Sequence, residues 1–98
     1  MTKRYAPATE RNREAILAVL KDHLPDQGTV LEIASGTGQH AVFFAQHLAS
    51  RYWLPTDLDA TNLASINAWQ EEADAPHLLR PRQLDVRDSA WAIDGDLP

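Results

Sequence analysis

The sequence predicts an α/β fold, built as one half of a doubly wound parallel sheet with its three strands in the order 3-2-1. Three observations predict it. A helical segment is followed by strand-like and helix-like segments in the order β-α-β-α-β, and such alternation implies parallel strands joined by right-handed crossovers. The first strand-like run, Thr29-Val30-Leu31-Glu32-Ile33-Ala34, is largely apolar and β-branched, as suits a buried parallel strand. It passes directly into Ser35-Gly36-Thr37-Gly38, a tight glycine loop that opens a helix.

Residues 1–8 are expected to form an irregular arm, with Pro7 fixing a kink. Thr9 is placed to cap a helix over residues 10–24, where Ile16, Leu17, Leu20 and Leu24 recur at helical spacing. Pro25 stops that helix and Asp26-Gln27-Gly28 turns the chain into the first strand, residues 29–34. The second helix spans residues 39–49, with Val42, Ala45 and Leu48 on one stripe. Residues 52–56 form a short second strand that ends at Asp57. Pro55 cannot donate to a ladder, so it weakens this strand or moves it toward an edge. Asp59 or Thr61 caps a third helix reaching residue 73, with Leu63, Ile66 and Trp69 inward. Residues 82–86 form the third strand after the Pro81 break, 88–91 one helical turn, and 94–98 a turn.

Composition narrows the function. The 98 residues, 44% apolar and 23% charged, describe a single domain over residues 1–98, with no run long enough to cross a membrane. Thr2-Lys3-Arg4-Tyr5 leads into a polar stretch, unlike a secretory signal. The absence of cysteine removes disulfides, thiol catalysis and cysteine-based zinc sites, and suits a cytoplasmic location. Residues 1–25 carry a net +2 and the remainder −7, and an acidic body argues against a nucleic-acid groove. Arg11, Arg13 and Lys21 read as a solvated helix face. His40, His47 and His77 lack the spacing of a metal site. Trp53, Trp69 and Trp91 read as packing residues, since no basic groove accompanies them.

The chemistry concentrates at the glycine loop. Two glycines allow a sharp turn and a close approach of backbone to ligand, and the helix that follows presents free N–H donors. Asp57 lies 21 residues after Gly36 at the end of the next strand, where a carboxylate accepts from ribose hydroxyls. Together these features predict a nucleoside-containing ligand at the carboxyl edge of the sheet. Gly36-x-Gly38-x-x-Ala41 also satisfies the dinucleotide fingerprint, so an NAD-type ligand stays open. Against it, Glu32 stands inside the strand, where it would repel a pyrophosphate. Residues 22–50 contain no lysine or arginine, and no phosphate-loop lysine exists. A cationic ligand suits these acids better.

Glu32-x-Ala34-x-Gly36-x-Gly38 resembles motif I of class I S-adenosylmethionine-dependent methyltransferases, an acid followed by three alternating glycines, with Ala34 in place of the first glycine. Pro7-Ala8-Thr9-Glu10-Arg11-Asn12-Arg13, residues 30–40, Trp53-Leu54-Pro55-Thr56-Asp57-x-Asp59 and Ser65-Ile66-x-Ala68-Trp69 resemble one small methyltransferase-like family, domain of unknown function 938 or methyltransferase-like 26. The resemblance covers nearly the whole chain. It implies a Rossmann-like class I methyltransferase fold, of which this chain is the N-terminal half, with S-adenosylmethionine as cofactor. Glu32 then acts near the methionine end, while Ala34, Gly36 and Gly38 form the loop past which the backbone meets methionine and ribose. Asp57 holds the ribose hydroxyls and Leu58 packs on the adenine. Asp85 accepts from the adenine amino group, with the Val86 N–H at the ring edge. Arg11 and Asn12 match the family's opening and are candidates to cover the ligand, with a solvated or capping role as the alternative. His40 lies near the site without the credentials of a base, so no catalytic residue is assigned.

The methyl acceptor is expected to be a small molecule or a protein. The competing functions are an NAD-type dinucleotide binder and a non-enzymatic partner-binding half-domain that keeps its glycine loop for structural reasons. By the resemblance, the chain stops where a fourth strand would begin, leaving the first strand with an open edge. Self-association through that edge is therefore expected.

Overall fold

The computed structural model describes residues 7–88, with side chains from Asn12 onward. Its elements are α1 (Pro7–His23), β1 (Thr29–Glu32), α2 (Gln39–His47), β2 (Tyr52–Asp57), α3 (Ala60–Glu72) and β3 (Arg82–Gln83). The three strands lie in the order β1-β2-β3, and both pairings are parallel. The fold is the expected α/β arrangement. No helix among the described residues is long and apolar enough to cross a membrane.

Helix α1 begins two residues inside the expected arm. Pro7 is its first residue, a position where a proline's missing N–H costs nothing and its fixed φ suits the helix. Thr9 accordingly lies within the helix and is not its cap. Residues 1–6, the rest of the expected arm, lie outside the described residues. Arg13 is not part of a solvated face. Its guanidinium sits over the Phe43 ring, 4.7 Å from the centroid, and so joins α1 to α2. Leu17 of α1 is buried in the core, with Leu20 packed against it, alongside Ala41, Val42, Phe44 and Ala45 of α2, Leu48 just after that helix, and Trp53 and Leu78. Trp53 thus packs as expected, and Trp69 packs against the same cluster. Trp91 and the expected helical turn near it fall beyond the described residues.

Strand β1 is shorter and less buried than expected. It ends at Glu32, because Ala34 takes a left-handed φ of 56° that no strand residue adopts. Ser35 then resumes contact with β2: its N–H donates to Thr56 O (2.7 Å) and its hydroxyl oxygen accepts from Thr56 N (2.9 Å). All four β1 residues are half-buried, as befits a strand at the edge of the sheet.

Strand β2 is central, and Pro55 neither weakens it nor places it at an edge. The bond directions explain this. Tyr52 N donates to Gly28 O on the β1 side (2.8 Å), whereas Trp53 N donates to His77 O (2.9 Å) on the opposite side. On that side Trp53 O accepts from Leu79 N (2.8 Å) and Asp57 O from Leu84 N (3.1 Å). Alternation turns the Pro55 backbone toward the interval between these bonds, where residues 79–81 form no strand. The missing donor therefore leaves no acceptor bereft.

The third strand is split. Leu78 makes an isolated parallel bridge with Trp53, and the regular pairing is confined to Arg82–Gln83 opposite Thr56 and Asp57. Asp85 and Val86, expected within it, lie in the turn that follows. Helix α3 is capped by Asp59, whose carboxylate accepts from Thr61 N at 2.7 Å; Thr61 is not the cap.

Candidate functional site

The carboxyl ends of β1 and β2 bring the glycine loop and Asp57 into direct contact. Asp57 Oδ2 accepts from the Gly36 N–H at 2.9 Å. Oδ1 accepts from the Asp59 N–H at 2.9 Å and from the Asn62 side-chain amide at 3.3 Å. One carboxylate thus holds the β1–α2 loop, the β2–α3 turn and the first turn of α3. Burial pushes the Asp57 carboxyl up, but the N–H groups of Asp59 and Gly36, the Asn62 amide and the Leu58 N–H outweigh it. Asp57 is held below its ordinary 3.8 and stays ionised at neutral pH.

The two loop glycines differ in what surrounds them. Gly36 has a φ of 65°, and a Cβ built on it would meet nothing within 4 Å. Gly38 has a φ of 99°, and its Cβ would lie 2.9 Å from Ile66 Cα. Gly36 therefore borders open space that a ligand can fill. Gly38 is the point at which α2 presses on α3, a packing requirement distinct from the ligand contact expected of it. Ser65 reinforces the same contact by donating its hydroxyl to Thr37 O at 2.6 Å.

Glu32 sits at the end of β1 beside Trp53, whose indole Nε1–H donates to Glu32 Oε1 at 3.2 Å. Burial pushes its carboxyl above the ordinary 4.5. Bonds with the Ser35 hydroxyl and Trp53, and the nearby His40, pull the other way, while Asp57 adds to the rise. His40 lies in the first turn of α2, its ring 5.2 Å from that of Phe44. Glu32 and His40 line one cleft of about 340 Å³ with Ile16, Leu20, Val30 and Phe44.

Leu58 follows Asp57 and is 50% exposed, and its carbonyl accepts from Gln83 Nε2 at 3.1 Å, which ties the end of β2 to β3. Val86 is equally exposed. Asp85 is engaged by its neighbour: Arg87 Nε donates to Oδ1 (2.9 Å), Nη2 to Oδ2 (2.7 Å), and the Arg87 N–H to Oδ1 (2.9 Å). These bonds hold the Asp85 carboxyl down at about 2. Asn12 is exposed on α1, and Arg11 lies on the same helix with its side chain outside the described set.

Several residues that complete this arrangement carry no motif. Asn62 reaches Asp57 from one turn into α3, and Ser35 bridges Glu32 and Thr56. Arg51 is 7% exposed and donates to the carbonyls of Pro25 and Leu24, anchoring the segment that follows α1 to the start of β2. Their signal lies in contacts between segments 21–27 residues apart, or between a strand end and the helix that follows it, which spacing alone does not single out.

A parallel α/β sheet with a glycine loop and a strand-end carboxylate meeting at its carboxyl edge is a Rossmann-like arrangement. Residues 3–98 match the family model described as "Protein of unknown function (DUF938)", and the chain belongs to that family. Among solved structures it is similar to the selenomethionine-substituted crystal structure of the CurJ carbon methyltransferase, at 25% sequence identity and a TM-score of 0.56 over 85% of this chain. The match covers 23% of that structure's chain, so this protein spans less than a quarter of that neighbour's length. The fold is methyltransferase-like.

Proposed function

We propose that this chain supplies the cofactor side of an S-adenosylmethionine-dependent methyltransferase. One observation carries it: the Gly36 backbone faces open space while its N–H is fixed on the Asp57 carboxylate. A nucleoside at this edge meets a bare main-chain surface and an ionised acceptor together. The flanking residues suit the same group. Leu58 and Val86 present half-exposed apolar surface for an adenine, and Asp85, held ionised by its three bonds from Arg87, keeps about one acceptor site for the adenine amino group. Glu32 places a carboxylate, not a cationic phosphate ligand, beside the loop, and so favours a ligand with a positive end.

S-adenosylmethionine supplies an activated methyl group on a sulfonium. The protein's part is to bind and orient it. Asp57 accepts from ribose hydroxyls through charge-assisted hydrogen bonds, roughly twice as strong as neutral ones. Glu32 faces the cationic end, and the loop backbone sets the distance between them. The acceptor is a small molecule or a protein, and the closer kinship to methyltransferase-like 26 belongs to the same proposal.

Calorimetric titration of the intact chain tests this. S-adenosylhomocysteine is expected to bind in the micromolar range and NAD not to bind. Binding of NAD alone would replace the proposal with a dinucleotide function. Binding of neither would leave a partner-binding module whose glycine loop serves packing alone.

A further inference from the structure

A carboxylate offers about four acceptor sites on its two oxygens. At Asp57, the Gly36 N–H, the Asp59 N–H and the Asn62 amide take three of them, and the Leu58 N–H leans on the same group. The residue is only 8% exposed, so water adds little. A ribose brings two hydroxyls and needs two acceptor sites, more than this carboxylate has left. One resident donor must leave before the diol can bind.

The donors are not equally able to leave. Three are main-chain N–H groups of the glycine loop and the β2–α3 turn, and withdrawing any of them means refolding that segment. Asn62 is the one side chain among them. It makes the longest of the three bonds, 3.3 Å against 2.9 Å for the others, and rotation about its own χ angles releases it. It stands half-buried in the first turn of α3.

We infer that Asn62 is a specificity-determining residue: its amide takes the ribose-hydroxyl position on Asp57 and withdraws when a cis-diol arrives. The inference deepens the nucleoside assignment of Asp57 and rests on it. Physically, Asn62 keeps a nearly buried carboxylate satisfied, since leaving such a group unpaired is costly. It also sets a threshold. A ligand with two hydroxyls replaces the amide bond with better ones, whereas a ligand lacking them has nothing to offer in exchange.

Calorimetry on the intact chain reads this directly, with S-adenosylhomocysteine and its 2′,3′-dideoxy analogue as probes. Asn62→Ala removes the competitor and is expected to tighten S-adenosylhomocysteine binding about three- to tenfold, less than a well-formed hydrogen bond to an ionised group contributes because the 3.3 Å bond is long. The dideoxy analogue displaces nothing, so its affinity should stay within about twofold of wild type. Asn62→Ser, too short to reach Asp57, should behave alike and serves if the alanine variant does not fold. Weaker binding of S-adenosylhomocysteine by both variants would show that Asn62 itself holds the ribose, and an equal shift for both probes would reduce it to a structural residue; either overturns the proposal. A wild type and variants that all fail to bind S-adenosylhomocysteine overturn the nucleoside assignment first, and this proposal with it.

Discussion

Gly36 and Gly38 stand two residues apart in one loop, both with positive φ, yet the structure uses them for different ends. Gly36 needs only the left-handed backbone that turns its N–H onto Asp57; beyond its Cα is open space. Gly38 needs both the backbone and the absence of a side chain, because Ile66 of α3 occupies the place where a Cβ would go. The difference teaches that a glycine motif is two requirements superposed. One glycine keeps a surface bare for a ligand, and the other lets two helices meet.

Substituting each glycine by alanine separates the two requirements. Gly38→Ala should be the most damaging change in the loop. Backbone strain adds to a 2.9 Å clash with main chain, and main chain cannot swing aside. The expected loss is about 3 kcal/mol, combining left-handed strain with overpacking of a tight contact. Gly36→Ala should cost about 1 kcal/mol, from strain alone. Urea denaturation of both variants checks the ranking. Equal losses would mean that α2 and α3 do not meet through Gly38.

The two carboxylates at the site make a second such pair. Asp57 is surrounded by donors and Glu32 by mostly apolar walls, so their affinities for protons move in opposite directions. For Glu32 the folded protein binds its proton more tightly than the unfolded chain does. Its contribution to stability is therefore fullest below about the ordinary 4.5 and is lost as pH rises through the elevated folded value. Glu32→Gln keeps an acceptor for the Trp53 indole and removes the buried charge. It should raise the melting temperature at pH 7, and the gain should vanish below about the ordinary 4.5. A gain independent of pH would show that burial of the charge is not its cause. For Asp57 the sign reverses: its contribution is present above the ordinary 3.8 and is lost as pH falls through the depressed folded value.

The sequence carried the fold in its alternation of periods, and it carried the site wherever a residue type is forced by backbone geometry. Gly36 and Asp57 are legible for that reason: a left-handed turn selects glycine, and the end of the next strand, 21 residues on, is where a carboxylate meets the loop. Pro55 misled because a proline's effect depends on which neighbour its missing N–H faces, and that is fixed by the gap in the third strand. The third strand itself was overextended, since Arg82 to Val86 alternates like a strand but only its first two residues pair. Asn62, Ser35 and Arg51 were illegible because their partners lie on other elements or on backbone groups that sequence does not distinguish. Asp85 is legible as an acid near the third strand, whereas its engagement by Arg87 depends on a side-chain geometry two residues along that spacing does not specify.

The smallest expected effect falls on the residue that departs from the motif. Ala34 stands where the resembling motif has its first glycine, and it adopts a φ of 56°. A left-handed alanine costs roughly 1–2 kcal/mol, because its Cβ crowds the following carbonyl. The methyl is exposed, so it recovers little of that cost through packing. Ala34→Gly removes the crowding but loosens the unfolded chain, which returns roughly 0.5–1 kcal/mol of the gain. The net expectation is a stabilisation of about 0.5–1 kcal/mol, read as a higher urea midpoint at unchanged slope. The comparison with Gly36 sharpens it: both positions border the exposed side of the loop, so adding a methyl at one and removing it at the other should shift stability in opposite directions. If Ala34→Gly instead lowers the midpoint, the alanine methyl makes a contact that matters. In that case this side of the loop is not bare, and the space beside Gly36 would have to be reconsidered as a ligand surface.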